Sequence, residues 1–329
     1  MSLRDKYGRT ITDLRVSVTD RCNYKCVYCR TGNVGAQFPD LPMADYLRMA
    51  RLFVSLGITK VRITGGEPLM RRGLIDFVRE LSKLRTLKGD GLDLAITTNG
   101  HLLGEMAQPL VDAGLKRVTI SVDAMEPERF ARITRVPGSY EAVMAGVRAA
   151  KSAGLNPVKV NCVLLRGFND DQIVAFGKFA REQGVVVRFI EFMPLEEDRV
   201  WSPQIVVPLK EILAKLNGYM PLKELEREPS GTARRFVFED GVGEIGIIAP
   251  VSEPFCGQCS RVRLTSDGKI RTCLFSVVEH DLYGLMRGGS SDDELRDYIV
   301  KVVNQKEERH HIGEPDFMPA SRTMVHIGG

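Results

Sequence analysis

The chain has 329 residues, of which 43% are hydrophobic and 27% charged, and this is the composition of an ordinary globular protein. The formal net charge of +4 is too small to indicate nucleic acid as a partner, although it suits an anionic small ligand. Residues 1–10 are polar and charged, and no apolar run is long enough to cross a bilayer, so we expect no membrane attachment and a cytoplasmic location.

Predicted strands alternate with predicted helices through the first two thirds of the chain. The strands are predicted at 14–20, 60–64, 92–97, 117–122, 158–164 and 185–192, and the helices between them at 43–56, 73–85, 104–113, 139–153 and 170–182. Such alternation favours parallel βα units. We therefore predict an α/β fold, an incomplete (β/α)6 TIM-like barrel that is open on one side and carries its chemistry at the carboxyl ends of the strands.

The alternation ends after Pro194. A short helix is predicted at 208–217, a hairpin of two strands at 235–238 and 244–248, and a polar helix near 291–308. The length of the chain also favours one large domain and a smaller one. We place the boundary near residue 228, with a partial barrel at 1–228 and a smaller α+β domain at 229–329 that covers the open side.

Three cysteines directly follow the first predicted strand. Cys22, Cys26 and Cys29, the first cysteine set, have the spacing Cys-x3-Cys-x2-Cys. Clustered spacings without a signal peptide indicate metal ligation rather than disulfides. Thiolates are the usual ligands of a four-iron cluster, and three of them leave one iron open to a substrate or cofactor. The alternative is a zinc ion with a distant fourth ligand.

The first cysteine set, with Tyr28 beside Cys29, resembles the radical S-adenosylmethionine (SAM) superfamily, and so does the segment Gly65-Gly66-Glu67-Pro68. In that superfamily the open iron of a 4Fe-4S cluster binds SAM, and an electron from the cluster releases a 5′-deoxyadenosyl radical. The resemblance implies that the first cysteine set holds this cluster. It also implies SAM contacts at Tyr28, Gly66, Ser121 and Met193, although packing is the commoner role of a methionine.

Cys256, Cys259 and Cys273 form a second cysteine set. Taken alone, this set with His280 as a fourth ligand favours a closed Cys3His zinc site. Its context, Phe255–Thr265 and Cys273-Leu274-Phe275, resembles instead the GTP 3′,8-cyclase family of molybdenum cofactor biosynthesis. Segments 14–23, 62–69, 188–194 and 327–329 are also typical of that family. The resemblance implies a second 4Fe-4S cluster with an open iron, at which the guanine base binds.

The same resemblance implies the residues that bind GTP. These are Arg15, Arg62, Thr97, Lys159, Arg261 and Arg263, with Lys60 and Arg188 as weaker candidates. Arginine suits phosphate because its planar fork donates two hydrogen bonds, although any single Lys or Arg is more often a solvated surface charge. The catalytic residues implied are Arg261, Arg263, Gly328 and Gly329, the last two because the tail of the family reaches the active site.

The resemblance implies a radical SAM lyase that converts GTP to (8S)-3′,8-cyclo-7,8-dihydroguanosine 5′-triphosphate. The 5′-deoxyadenosyl radical removes the hydrogen at ribose C3′, and the C3′ radical attacks guanine C8. The implied cofactors are two 4Fe-4S clusters and SAM. The implied partners are GTP, an electron donor such as flavodoxin and, as recipient of the product, cyclic pyranopterin monophosphate synthase; a homodimer is compatible with the sequence.

Two other functions stay open at this point. One is a different radical SAM enzyme with an auxiliary cluster, acting on a peptide or another small molecule, which has no need of cations for a triphosphate. The other is a zinc-stabilised binding module on a barrel scaffold. Of the remaining residues, Cys162 is predicted to be a buried small side chain, and His310-His311 shows no metal-binding spacing.

Overall fold

The strands of the barrel come from both halves of the chain. The computed structural model describes residues 2–29, 36–196, 198–199, 201–228, 230–315 and 317–328. The strands in these ranges are β1 (Asp13–Ser17), β2 (Lys60–Thr64), β3 (Asp93–Thr98), β4 (Arg117–Ser121), β5 (Val158–Leu164), β6 (Val186–Glu191), β7 (Leu222–Leu225), β8 (Arg234–Phe238), β9 (Glu244–Ile248), β10 (Arg261–Leu264), β11 (Lys269–Arg271) and β12 (His280–Asp281).

Helices occur both between the parallel strands and after them. They are α1 (Met43–Ser55), α2 (Leu74–Ser82), α3 (Leu103–Asp112), α4 (Pro127–Thr134), α5 (Ser139–Ser152), α6 (Ile173–Gln183), α7 (Leu209–Tyr219), α8 (Leu282–Arg287), α9 (Asp292–Val303) and α10 (Met324–Ile327). Helices α1 to α6 connect the parallel strands β1 to β6, and helices α7 to α10 follow β6. In the described part of the chain, none of them is long and apolar enough to span a membrane.

The strands form one sheet in the order β12-β11-β10-β1-β2-β3-β4-β5-β6-β9-β8-β7. From β10 to β9 all neighbours are parallel, whereas β11, β12, β8 and β7 pair antiparallel at the two ends. The six predicted βα strands are β1 to β6, so the predicted partial barrel is confirmed. The C-terminal strands extend this barrel sheet at both edges.

The alternation of side chains in the strands separates the core from the barrel interior. In β5, Val158, Val160, Cys162 and Leu164 are buried, while the residues between them, Lys159, Asn161 and Val163, line cavities inside the barrel. Successive side chains of a strand point to opposite faces, so every other position is apolar and packs beneath the helices. Cys162 is 0% exposed, which confirms the predicted buried side chain.

The segment 249–260 crosses the open side of the barrel. Just before it, β9 pairs with β6 at one edge, and just after it, β10 pairs with β1 at the other. The crossing carries Cys256 and Cys259 and ends beside the start of β1, where Thr12 N and Asp13 N both donate to Ser260 O, so this part of the second cysteine set lies toward the amino ends of the strands. This agrees with a C-terminal region that covers the opening, while a domain boundary near residue 228 stays a prediction.

Several short elements were not predicted from the sequence. Helix α4 is an addition between β4 and α5, and its first residue, Pro127, is a residue type that favours the first turn of a helix. Strands β7, β10, β11 and β12 contain at most four residues each. Such short strands show little periodicity in the sequence. Strand β10 forms because it pairs in parallel with the free edge of β1, which is far away in the sequence.

Candidate active site

The first cysteine set opens into a cavity of about 1020 Å³, here called the first cavity. Its three cysteines lie on the loop after β1 and are half-buried. All four residues predicted to contact SAM line this cavity, namely Tyr28, Gly66, Ser121 and Met193. The structure therefore brings these residues together beside the first cysteine set, although they come from four separate segments of the chain.

The Gly-Gly-Glu segment after β2 packs directly on the backbone of the cysteine loop. Gly66 N donates to Thr19 O at 2.9 Å, and Glu67 N donates to Arg21 O at 2.7 Å. A Cβ added at Gly66 would lie 2.7 Å from the carbonyl carbon of Arg21. Backbone atoms cannot move aside as a flexible side chain does, so this close approach requires glycine.

Gly66→Ala is expected to displace the start of the cysteine loop and to lower iron bound at the first cysteine set several-fold, with a matching loss of SAM cleavage. Iron analysis and 5′-deoxyadenosine formation measure both effects. Gly91→Ala is the control, since a Cβ at Gly91 has no atom within 4 Å. Normal iron binding by Gly66→Ala would show that the loop tolerates the methyl group.

Two buried carboxyl groups lie beside the first cavity. Glu67 accepts hydrogen bonds from Leu69 N, Thr98 Oγ1 and Asn99 N at 2.6–2.9 Å, and burial raises its pKa to about 7. Asp123 accepts from Tyr28 Oη at 2.6 Å and from Val163 N at 2.9 Å, and burial raises its pKa to about 6. Asp123 thus fixes the ring of Tyr28. One indication in the sequence that Asp123 belongs to the site is its position just after the predicted strand that becomes β4.

The second cysteine set opens into a second cavity of about 1040 Å³. Two cations hold its backbone in place. Arg9 donates to Cys256 O at 2.9 Å, while the buried ammonium group of Lys306 donates to Arg261 O at 3.0 Å and to Thr272 O. Burial alone would raise the pKa of Cys259, but Arg261 and Lys306 lower it to about 6. A low pKa favours the thiolate, which is the form that binds iron.

Reasoning from the sequence did not identify Arg9 and Lys306 as part of the site. Both lie in polar, charged stretches that resemble solvated surface, and only the fold shows that they are 8% and 3% exposed. His310 also lines the second cavity, with its ring centroid 5.2 Å from that of Phe275. Its sequence spacing gave no signal for this position.

Neither cysteine set is closed by a fourth protein ligand within the ranges given above. No group of three or more His, Cys, Asp or Glu side chains there is arranged to hold a metal ion. His280, the candidate fourth ligand, lies on β12 and is absent from the described lining of the second cavity. Three half-buried thiols on one cavity wall fit a four-iron cluster, whose ligands bind separate irons rather than converge on one ion.

A group of cations faces the barrel interior. Arg62 donates to Thr97 Oγ1 at 3.2 Å and to Thr119 Oγ1 at 3.1 Å, and Arg188 donates to Asn161 Oδ1 at 2.9 Å. Burial, and the repulsion of neighbouring guanidinium groups, lower the pKa of Arg15, Arg188 and Arg263. Guanidinium groups nevertheless keep their charge in proteins.

Among the described residues, no salt bridge to a carboxylate is formed by the interior cations Arg15, Arg62, Lys159, Arg188 and Arg263. More distant carboxylates offset part of this charge, namely Asp13 near Arg15 and Glu228 near Lys159 and Arg188, but a buried charge without a direct partner is still costly. This arrangement therefore suits a ligand that brings several negative charges into the barrel.

The predicted GTP contacts divide between two spaces. Arg15, Arg62, Thr97, Arg261 and Arg263 line the second cavity. Lys159 instead lines a deeper pocket of about 630 Å³, which shares Arg15, Arg62 and Arg188 with the second cavity. Lys60 also lines this deeper pocket, where it pairs with Asp13 at 3.1 Å.

The first and second cavities adjoin. Their shared lining consists of Thr97, Asn161, Ile190, Met193 and Met324. Ligands bound in the two cavities are therefore separated by only these few side chains. Thr97 and Ile190 lie near the carboxyl ends of β3 and β6, Asn161 lies in the middle of β5, and the start of α10 supplies Met324.

The C-terminal tail reaches the interior of the barrel. Gly328 has a φ of 82°, and a Cβ there would lie 2.9 Å from both Ser17 Cβ and Thr64 Cγ2. Its carbonyl oxygen accepts a hydrogen bond from Arg263 Nη1. The structure thus brings together two of the residues predicted to be catalytic. Gly329, also predicted to be catalytic, lies outside the described residues.

The chain is similar to known proteins over nearly its whole length. The chain matches the Radical SAM superfamily over residues 16–180 and Molybdenum Cofactor Synthesis C over residues 185–312. It is 41% identical to a GTP 3′,8-cyclase of Acidothermus cellulolyticus over 94% of this chain and 87% of the relative. It is 39% identical to the mitochondrial GTP 3′,8-cyclase of Arabidopsis thaliana over 99% of this chain and 83% of the relative.

Among solved structures, the chain resembles Streptococcus suis SuiB bound to S-adenosylmethionine, with a TM-score of 0.61 and 14% identity. The match covers 95% of this chain and 77% of that one. At this identity the likeness concerns the fold, and it supports the partial barrel.

Proposed function

Because the chain belongs to the family of GTP 3′,8-cyclases, which it matches over nearly its whole length, we propose that its two adjoining cavities hold SAM and GTP for that reaction. The chain is an enzyme of radical SAM type that acts in molybdenum cofactor biosynthesis. The observation that carries the proposed site is the position of the interior cations, which line the second cavity or the deeper pocket next to it and form no salt bridge to a carboxylate in the described ranges.

The first cavity is the proposed SAM site. Cys22, Cys26 and Cys29 would hold one 4Fe-4S cluster, and the backbone at Gly66 would bind the amino group of SAM. With that cluster bound, SAM supplies the radical that removes the hydrogen at ribose C3′. Asp123 holds Tyr28 through the 2.6 Å hydrogen bond, so that the side chain beside Cys29 has one orientation.

The second cavity and the deeper pocket are the proposed GTP site. Cys256, Cys259 and Cys273 hold the second 4Fe-4S cluster, and guanine lies beside them. The triphosphate extends toward Arg15, Arg62, Lys159 and Arg188, because fixed cations replace the water that the phosphates lose. The ribose then lies near Thr97 and Met193, at the junction with the SAM site.

The protein's contribution is mainly placement and exclusion of water, since the cofactors supply the difficult step. Arg263 holds the carbonyl of Gly328 inside the barrel, where the tail fills space that water would otherwise occupy. We propose Arg261, Arg263, Gly328 and Gly329 as the residues nearest the reacting atoms. Further proposed partners are an electron donor such as flavodoxin, the synthase that takes the product, and a second copy of the chain.

Anaerobic reconstitution tests the proposal directly. Protein with both clusters is expected to be brown, to bind about eight irons per chain, and to form the 3′,8-cyclised nucleotide from GTP with SAM and a reductant. Colourless protein that contains zinc would overturn the cluster assignment. Failure to bind Mg-GTP would overturn the assignment of GTP as the substrate. Tight binding of Mg-GTP would exclude an enzyme that acts on a peptide, because such an enzyme has no need of the interior cations.

GTP binding is expected to weaken as the pH rises from about 7 to about 9. Burial lowers the pKa of Lys159 to about 8, so the ammonium group is mostly charged at the lower pH and mostly neutral at the higher one. Titration calorimetry at several pH values measures the effect. The Lys159→Arg variant keeps its positive charge over this pH range and is expected to lose most of the pH dependence of GTP binding. The same pH dependence in the variant and the unmodified protein would contradict a role of the Lys159 charge in GTP binding.

A further inference from the structure

The segment that leads into the buried tail is fixed by Arg322. Its guanidinium group donates to both oxygens of Asp267 at 2.8 and 2.9 Å and lies 2.6 Å from Glu279 Oε2. The same group lies over the ring of Phe38, 4.3 Å from its centroid. The side chain is 9% exposed, so all of these contacts are largely removed from water.

These contacts connect the two cysteine-bearing regions of the molecule. Asp267 and Glu279 lie on the turns before β11 and before β12, on either side of Cys273. Phe38 follows the first cysteine set, and its backbone N–H donates to Asp20 Oδ2 at 3.0 Å. Since Asp20 lies just ahead of Cys22, Arg322 contacts a structure continuous with each cysteine set.

A short helix transmits the position of Arg322 to the end of the tail. Helix α10 follows directly, and Met324 N donates to Leu195 O at 3.1 Å. Gly328 N donates to Met324 O at 3.0 Å, which closes the last turn and directs the Gly328 carbonyl toward Arg263. A helical turn has a fixed rise, so the depth of Gly328 in the barrel depends on where the helix begins.

We propose that Arg322 is a positioning residue that anchors the C-terminal segment to both cysteine-bearing regions and thereby sets how deeply the tail lies in the active site. This inference rests on the proposed function of the tail. Arg322 does not line the first or the second cavity as described, so it acts through Gly328 and Arg263 rather than by contact with a substrate.

The chemistry of the contacts requires arginine. One planar group forms the two-point bond to Asp267, a second bond to Glu279 and the stack on Phe38, and a lysine ammonium group cannot form all three. Burial would raise the pKa of Asp267, but Arg322, Thr265 and Lys269 lower it to about 2. The ion pair is therefore intact throughout the neutral range.

The test uses Arg322→Met in the full chain with both clusters reconstituted. Amide hydrogen exchange over 324–328 is expected to become at least 10-fold faster, and GTP conversion is expected to fall at least 10-fold. Iron content and SAM cleavage are expected to stay at the level of the unmodified protein. Asp267→Asn removes the same ion pair by changing its acidic partner. It replaces Arg322→Met in these measurements if that variant does not fold.

Arg234→Met is the matched control. Arg234 also bonds two carboxylates, Glu224 and Glu253, at 2.8–2.9 Å and lies over an aromatic ring, but it is on β8, away from the tail. Its removal is expected to leave the tail exchange rate and GTP conversion unchanged.

Unchanged exchange at 324–328 in Arg322→Met would overturn the inference, as would iron loss without faster exchange, which would show a purely structural role. Faster exchange with full GTP conversion would show that tail position does not matter to the reaction. If the unmodified protein failed to convert GTP, the proposed function would fail, while exchange would still test whether Arg322 anchors the tail.

Discussion

Cys273→Ala is expected to abolish formation of the cyclised nucleotide while SAM cleavage at the first cysteine set continues. Cys273 is one of only three thiols on the described wall of the second cavity, and no fourth side chain there replaces it. Loss of one ligand leaves a four-iron cluster with two protein bonds. Bound iron is therefore expected to fall from about eight to about four per chain.

Cys162→Ala is the matched control for this substitution. Cys162 is fully buried in β5 and lines neither cavity as described, so its loss is expected to leave iron content and GTP conversion unchanged. The measurements are iron analysis, 5′-deoxyadenosine formation and detection of the nucleotide product. Normal GTP conversion by Cys273→Ala would show that the second cysteine set is dispensable.

Arg188→Met is expected to raise the Kd for GTP by about 10- to 100-fold. The Arg188 side chain lines both the second cavity and the deeper pocket, and its pKa is lowered by burial and by Arg62 and Arg15. A bound triphosphate relieves this repulsion. A hydrogen bond to a charged group contributes about 1.5–3 kcal/mol, and each 1.4 kcal/mol is about tenfold in Kd.

The phosphate contribution can be isolated with guanosine. Arg188→Met is expected to bind guanosine as the unmodified protein does, because guanosine has no triphosphate. Arg129→Met is a control, since Arg129 pairs with Glu126 and Asp171 on the outside of the barrel. Equal loss of GTP and guanosine binding by Arg188→Met would contradict a phosphate contact and would indicate a damaged barrel.

Much of the fold was predictable because the barrel is built from local signals. The alternation of buried and interior positions in β5, and the glycines that follow helices, are visible in the sequence. The spacing of the first cysteine set is equally local, since Cys22, Cys26 and Cys29 lie on one loop. The short strands β10 to β12 were not predictable in this way, because β10 pairs with the distant β1, and β11 and β12 follow by pairing with β10 and with each other.

The amino-acid sequence by itself determined the two cysteine sets, the six βα strands and the residues typical of the family, because each depends on spacing within a short segment. Only the tertiary structure decided that the two sets open into adjoining cavities, that Arg188 joins the interior cations, and that Lys306 and Arg322 hold distant segments in place. The physical reason is the sheet register, in which Arg15 lies beside both Arg62 and Arg263. Hydrogen bonds between strands far apart in the chain impose that register, and no local pattern encodes it.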